Sequence, residues 1–93
     1  MFKSLEELVN IIRERKNSNP EKSYTNRLLT DKKINIEKVN EEVEELIEAI
    51  QKNDNKVHEA ADVLYHLLVL LEGNGIKIED VMKELKIRQN GIR

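Results

Sequence analysis

Residues 59–71 read Glu59-Ala60-Ala61-Asp62-Val63-Leu64-Tyr65-His66-Leu67-Leu68-Val69-Leu70-Leu71. They fall in a helix expected over about residues 56–72, the most apolar of the chain. Its apolar side chains cover most of the helical wheel, and Glu59, Asp62 and His66 form its polar wedge. A helix that is apolar nearly all round is buried nearly all round. A chain of 93 residues has little mass to supply that cover, so the helix is expected to pack against a second copy. The wedge would then line a cleft. Pairing of Glu59 and Asp62 with Lys or Arg is the weaker account, because such pairs are rarely favoured deep in a core.

Upstream lies Glu41-Glu42-Val43-Glu44-Glu45, in a helix expected over about residues 36–52. Its apolar stripe is Val39, Val43, Leu46, Ile47 and Ile50, and Asn53-Asp54-Asn55 forms the turn to the next helix. Glu44 and Glu48 point away from the stripe and read as a solvated face. Glu42 instead falls between Leu46 and Ala49, inside the apolar sector, and Glu45 lies just outside it with Lys38 beside it. A glutamate among core positions calls for a function. Glu42 with Glu45, and Glu59 with Asp62, are each spaced i, i+3 and so share a helix face. In an antiparallel hairpin these four carboxylates converge. They would repel unless a cation sat between them, and an all-oxygen cluster suits Mg²⁺ or Mn²⁺.

Ser4-Leu5-Glu6-Glu7 reads as a capping box that opens a first helix running to about Arg15 or Lys16, with Leu5, Leu8, Val9 and Ile12 on its apolar face. Asn17-Ser18-Asn19-Pro20 breaks it, Ser23 to Leu29 form one or two helical turns, and Lys32-Lys33 reads as a connection. Gly73 suits a left-handed C-cap, and a last helix over Ile78 to Arg88 carries Val81, Met82, Leu85 and Ile87. The expected architecture is an all-α bundle of four to five helices, one domain over residues 1–93, completed by homodimerisation.

Composition narrows the function. Cysteine is absent and only two His occur, which argues against disulfides and zinc sites of standard type. A net charge of -2 and 3% aromatic residues give no general attraction to nucleic acid and no stacking platform. No apolar run is long enough to span a membrane, and the first residues do not read as a signal peptide, so the cytoplasm is the expected compartment. Di-iron or di-manganese bundles use Glu-x-x-His, which does not occur here. Clustered carboxylates without it fit Mg²⁺-dependent phosphoryl or nucleotidyl transfer. No Gly-rich phosphate loop is present, so any further phosphate grip falls to side chains such as Lys38, Arg15, Lys16, Arg27 and Lys33. Lys38, one turn before Glu42, is the preferred one. His66 reads as a hydrogen-bonded histidine at the core edge, His58 as exposed, and Tyr65 as a packing residue whose hydroxyl reaches towards the cleft. A non-catalytic helical dimer remains open on these grounds.

Glu-Glu-x-x-Glu followed by Glu-x-x-Asp resembles the signature of the all-α nucleotide pyrophosphohydrolases, the MazG-like superfamily. Ser23-Tyr24-Thr25 with Leu28, Lys38-Val39-Asn40-Glu41-Glu42 and the run from Glu59 to Leu71 are similar to segments of the phosphoribosyl-ATP pyrophosphatase family. Asn40 and Lys22 stand where that family commonly has Gly. The resemblance spans almost the whole chain. It implies Mg²⁺-dependent hydrolysis of phosphoribosyl-ATP to phosphoribosyl-AMP and pyrophosphate, the second step of histidine biosynthesis, in a homodimer. It also implies that Glu42, Glu45, Glu59 and Asp62 hold the metal, that Glu41 assists or orients water, and that Ser23, Tyr24, Thr25 and Lys38 contact substrate. A house-cleaning pyrophosphatase acting on ordinary or damaged nucleoside triphosphates is the neighbouring expectation.

Overall fold

A computed structural model of the protein describes residues 1–91, so the last two residues of the expected 1–93 domain lie outside the described part. Five α-helices follow one another: α1 (Lys3–Glu14), α2 (Tyr24–Thr30), α3 (Lys32–Lys52), α4 (Lys56–Gly73) and α5 (Ile78–Arg88). Short 3₁₀ turns over Arg15–Asn17 and Gln89–Gly91 follow α1 and α5, and no strand occurs among the described residues. The fold is all-α, as the periodicity requires.

Helices α3 and α4 form the most extensive pair. Their connection is Asn53-Asp54-Asn55, with Asn53 and Asn55 in the left-handed region at φ 55° and 57°. Asn tolerates that conformation better than most residues, and so short a link folds the two helices back on each other. The core lies on the other side of α4, where Leu68 and Val69 meet Val9 and Ile12 of α1 and Leu28 of α2.

Several local expectations are corrected. Helix α1 begins at Lys3, so Ser4 lies inside its first turn, and Phe2 takes the N-cap without a side-chain hydrogen bond. Lys32-Lys33 is not a connection but the first turn of α3, capped by Asp31, whose carboxylate accepts from the Ile34 amide at 3.2 Å. Gly73 is the last residue of α4, and the left-handed residue is Gly75, at φ 73°. Gly73 lies beside α2, where a Cβ would be 3.4 Å from the Leu29 carbonyl oxygen, an ordinary contact.

The larger correction concerns the apolar stripe of α3. The buried residues of that helix are Asn35, Glu42 and Ala49, whereas Val43, Ile47 and Ile50 are exposed in the single chain. On α4, Val57 and Leu64 are likewise exposed, while His66, Leu68, Val69 and Glu72 are buried. The apolar sector of each helix is wider than its neighbours in one chain can cover.

Candidate active site

Glu42 projects from the buried side of α3 and is only 7% exposed. Its carboxyl and those of Glu41 and Glu45 can offer oxygens within 4.8 Å of one another, and His58, Glu59 and Asp62 form a second such group on α4. Glu45 links the two groups. Burial, and then the hydrogen bond and charge of Glu45, push the Glu42 carboxyl above its ordinary range, and the Asp62 charge adds to this. Burial likewise raises Glu59, with further contributions from the Glu45 and Asp62 charges. The folded chain thus carries two acidic groups, one on α3 and one on α4, with Glu45 acting on both Glu42 and Glu59.

Two oxygens in this cluster, Glu42 Oε2 and Glu59 Oε2, are buried without a hydrogen-bond partner. A buried carboxylate oxygen without a partner is costly, and a divalent cation is the partner that four clustered carboxylates can share. The donor set and its orphaned oxygens thus fit a hard cation.

Glu41, further round α3, is exposed and pairs with Lys38 at 3.5 Å. The Glu41 charge and then that of Tyr24 raise the Lys38 ammonium. His58, read as an exposed residue at a helix start, is exposed and approaches Asp62 Oδ2 at 3.4 Å. Its i, i+4 spacing from Asp62 is the sequence signal that could have placed it beside the cluster.

The α2 segment is fastened to α4 by two hydroxyl contacts. Tyr24 Oη lies 3.0 Å from His66 Nε2, and His66 Nδ1 lies 2.8 Å from the Asp62 carbonyl oxygen. A carbonyl only accepts, so Nδ1 carries a hydrogen, and in the neutral ring Nε2 accepts from the Tyr24 hydroxyl. His66 is thus the hydrogen-bonded core-edge histidine that the sequence suggested. Thr25 Oγ1 meets the Tyr65 hydroxyl, which gives Tyr65 a polar role besides packing. Ser23 caps α2, its Oγ accepting from the Asn26 amide at 3.1 Å. Burial is the main reason the Tyr24 phenol is raised, and Lys38 opposes it.

Sequence reading missed Asn26, which is 2% exposed and donates from Nδ2 to the carbonyls of Arg15 at 2.7 Å and Lys16 at 3.2 Å. It also missed the ion-pair group that joins α1 to the far end of α4. Arg13 Nη2 lies 2.8 Å from buried Glu72, and the Arg13 guanidinium donates twice to Glu79, at 3.0 and 2.6 Å. Neither has a local sequence signal, since the partners of Arg13 lie 59 and 66 residues away.

A family profile described as phosphoribosyl-ATP pyrophosphohydrolase matches residues 5–89. The phosphoribosyl-ATP pyrophosphatase of Clostridium acetobutylicum is 47% identical over 93 aligned residues, which cover 95% of this chain and 83% of that protein. A protein of the same name from Haloarcula marismortui is 42% identical, over 91% of this chain and 92% of its own. The histidine biosynthesis bifunctional protein HisIE of Thermotoga maritima is 43% identical over 89% of this chain, which spans 44% of that longer protein. No solved structure matches. On the family match and these relatives, the chain belongs to the phosphoribosyl-ATP pyrophosphohydrolase family.

Proposed function

We propose that the protein hydrolyses phosphoribosyl-ATP at its α–β phosphoanhydride, giving phosphoribosyl-AMP and pyrophosphate in histidine biosynthesis, as a cytoplasmic homodimer in which residues 1–93 act as one domain. The observation that carries this reading is the two acidic groups on α3 and α4, each with an orphaned buried oxygen, on Glu42 and on Glu59, in a chain of this family. These four residues would hold Mg²⁺, with Mn²⁺ as the alternative ion. When bound, such an ion supplies positive charge to the phosphate oxygens and the leaving pyrophosphate and makes a water more acidic.

The chain's own residues do the rest. Lys38, beside Tyr24 and Glu41, binds a phosphate oxygen by charge. Tyr24 and Thr25 present hydroxyls whose directions are held by His66 and Tyr65. Ser23 contacts substrate with the hydroxyl hydrogen that its cap contact leaves available, because that contact uses the oxygen as acceptor. Glu41, exposed at the edge of the cluster, orients the water that adds across the anhydride. The open apolar sectors of α3 and α4 support the dimer: Ile47 is 50% exposed and Leu64 52%, a condition that a second copy would relieve. No helix among the described residues is long and apolar enough to cross a membrane.

The test is pyrophosphate release from phosphoribosyl-ATP with Mg²⁺ and with EDTA, using ATP in parallel. Metal-dependent release from phosphoribosyl-ATP with ATP largely spared is expected. Release mainly from ATP or deoxynucleoside triphosphates would move the function to house-cleaning. No release from any of them by the folded protein would leave a non-catalytic helical module.

A further inference from the structure

A cavity of about 500 Å³ lies between the 3₁₀ turn and the start of α2. Arg15, Ser18, Lys22, Ser23, Tyr24 and Thr25 line it, and no acidic residue does. That is notable in a chain with 18 acidic and 16 basic residues, where most surfaces mix both signs. Of the cations nearby, Arg27 lies over the Tyr24 ring, and two others are committed to carboxylates. Arg13 and Lys16 neutralise Glu72, and Arg13 also holds Glu79. Arg15 and Lys22, by contrast, have no ion-pair partner among the described residues.

The cavity's walls are fixed by hydrogen bonds to the backbone. Asn26 grips the Arg15 and Lys16 carbonyls, and the Lys22 and Ser23 amides both donate to the Asn19 carbonyl at 2.9 Å. Tyr24 forms one wall, and its hydroxyl reaches His66, which in turn contacts the Asp62 backbone. Tyr24 and His66 thus connect the cavity to the helix that carries Glu59 and Asp62. The acidic groups gather negative charge suited to a divalent cation, and the cavity gathers positive charge and hydroxyls suited to an anion that carries no metal.

The geometry points to this cavity as the site of a phosphate monoester, namely the phosphate on the additional ribose of phosphoribosyl-ATP, held by Arg15 and Lys22. The assignment rests on the phosphoribosyl-ATP reading above. It explains selectivity within that reading, because ATP and deoxynucleoside triphosphates lack this second phosphorylated ribose and leave both cations unused. Arginine suits the task because its planar fork can donate two parallel hydrogen bonds to a phosphate.

The test compares the full-length protein with Arg15→Gln, Lys22→Gln and the double variant, all with Mg²⁺. Both side chains are exposed, so unchanged circular dichroism and melting are expected. For the double variant, KM for phosphoribosyl-ATP should rise about 10- to 100-fold, as expected for lost charge-assisted contacts, while kcat and the slow hydrolysis of ATP stay nearly constant. Ribose 5-phosphate, used as the probe, should shift the amide resonances of Ser23, Tyr24 and Thr25 in the parent and not in the double variant. A folded double variant with unchanged KM and unchanged probe shifts would overturn the assignment and leave the pyrophosphatase reading intact. An equal loss on ATP would put the triphosphate in the cavity and also overturn it. A parent that binds the probe but releases no pyrophosphate from phosphoribosyl-ATP would sink the function reading, and with it the identity of the ligand.

Discussion

Glu42 is the residue on which the site turns. Its carboxyl is raised by burial and by Glu45, so folding favours the protonated form more than the unfolded chain does. Stability from such a group is present below the unfolded value, near 4.5, and is lost as pH rises through the raised folded value. At neutral pH and without metal the charged form is therefore a liability. Glu42→Gln should melt higher than the parent in EDTA, yet turn over about 100-fold more slowly or worse, as loss of a metal ligand predicts. Mg²⁺ should raise the melting temperature of the parent and scarcely change that of the variant. A variant with parental activity would end the metal assignment. His66 offers a finer dissection. In His66→Asn the amide can still donate to the Asp62 carbonyl but no longer reaches Tyr24, so KM should rise while kcat holds. His66→Gln, whose longer amide reaches towards the Tyr24 hydroxyl, should recover part of the loss. Equal KM values for the two variants would remove His66 from substrate positioning. Glu42 was legible in the sequence because a charge inside an apolar sector is a local fact. The Tyr24–His66 contact was not, because it joins residues 42 positions apart.

At the scale of elements, helix identities follow from spacing, while the clamps between helices do not. Arg13 ties α1 to Glu72 on α4 and to Glu79 on α5. The hydrogen bond from Arg13 is the main reason the Glu79 carboxyl is lowered from 4.5 to about 2. A lowered carboxyl stabilises the fold above its unfolded value, and that contribution is lost as pH falls through the folded one. The parent should therefore lose stability between about pH 4.5 and 2, and Glu79→Gln should lose less over the same window in thermal melts. Arg13→Gln should cost about 1–3 kcal/mol in urea unfolding, because buried Glu72 keeps only Lys16 as its partner. An unchanged midpoint would show the clamp to be incidental. The displaced helix starts have a simpler cause. Asp31 accepts from the Ile34 amide, so α3 begins at Lys32, whereas α1 begins at Lys3 after Phe2, which makes no side-chain cap bond.

At the scale of the molecule, the exposed apolar sectors of α3 and α4 are the basis of the proposed dimer. Val57 is 85% exposed in the single chain, while burying one such side chain contributes about 1.5–3 kcal/mol. Leu64→Glu and Ile47→Glu should each shift sedimentation from dimer to monomer and abolish turnover, with far-ultraviolet circular dichroism retained. A monomeric parent, or dimeric variants, would contradict the assembly. The sequence by itself determined the helical class, the hairpin and the carboxylate pairs, because helical periodicity and i, i+3 spacing are local properties of the chain. It also indicated that α4 carries more apolar surface than one chain can cover. Only the tertiary structure decided which side of each helix faces inward, that Glu45 bridges the two acidic groups, that Arg13 rather than a nearer cation partners Glu72, and that Arg15 and Lys22 share an acid-free cavity. Those facts depend on distances between residues far apart in sequence, which packing and chain closure set and local propensity does not.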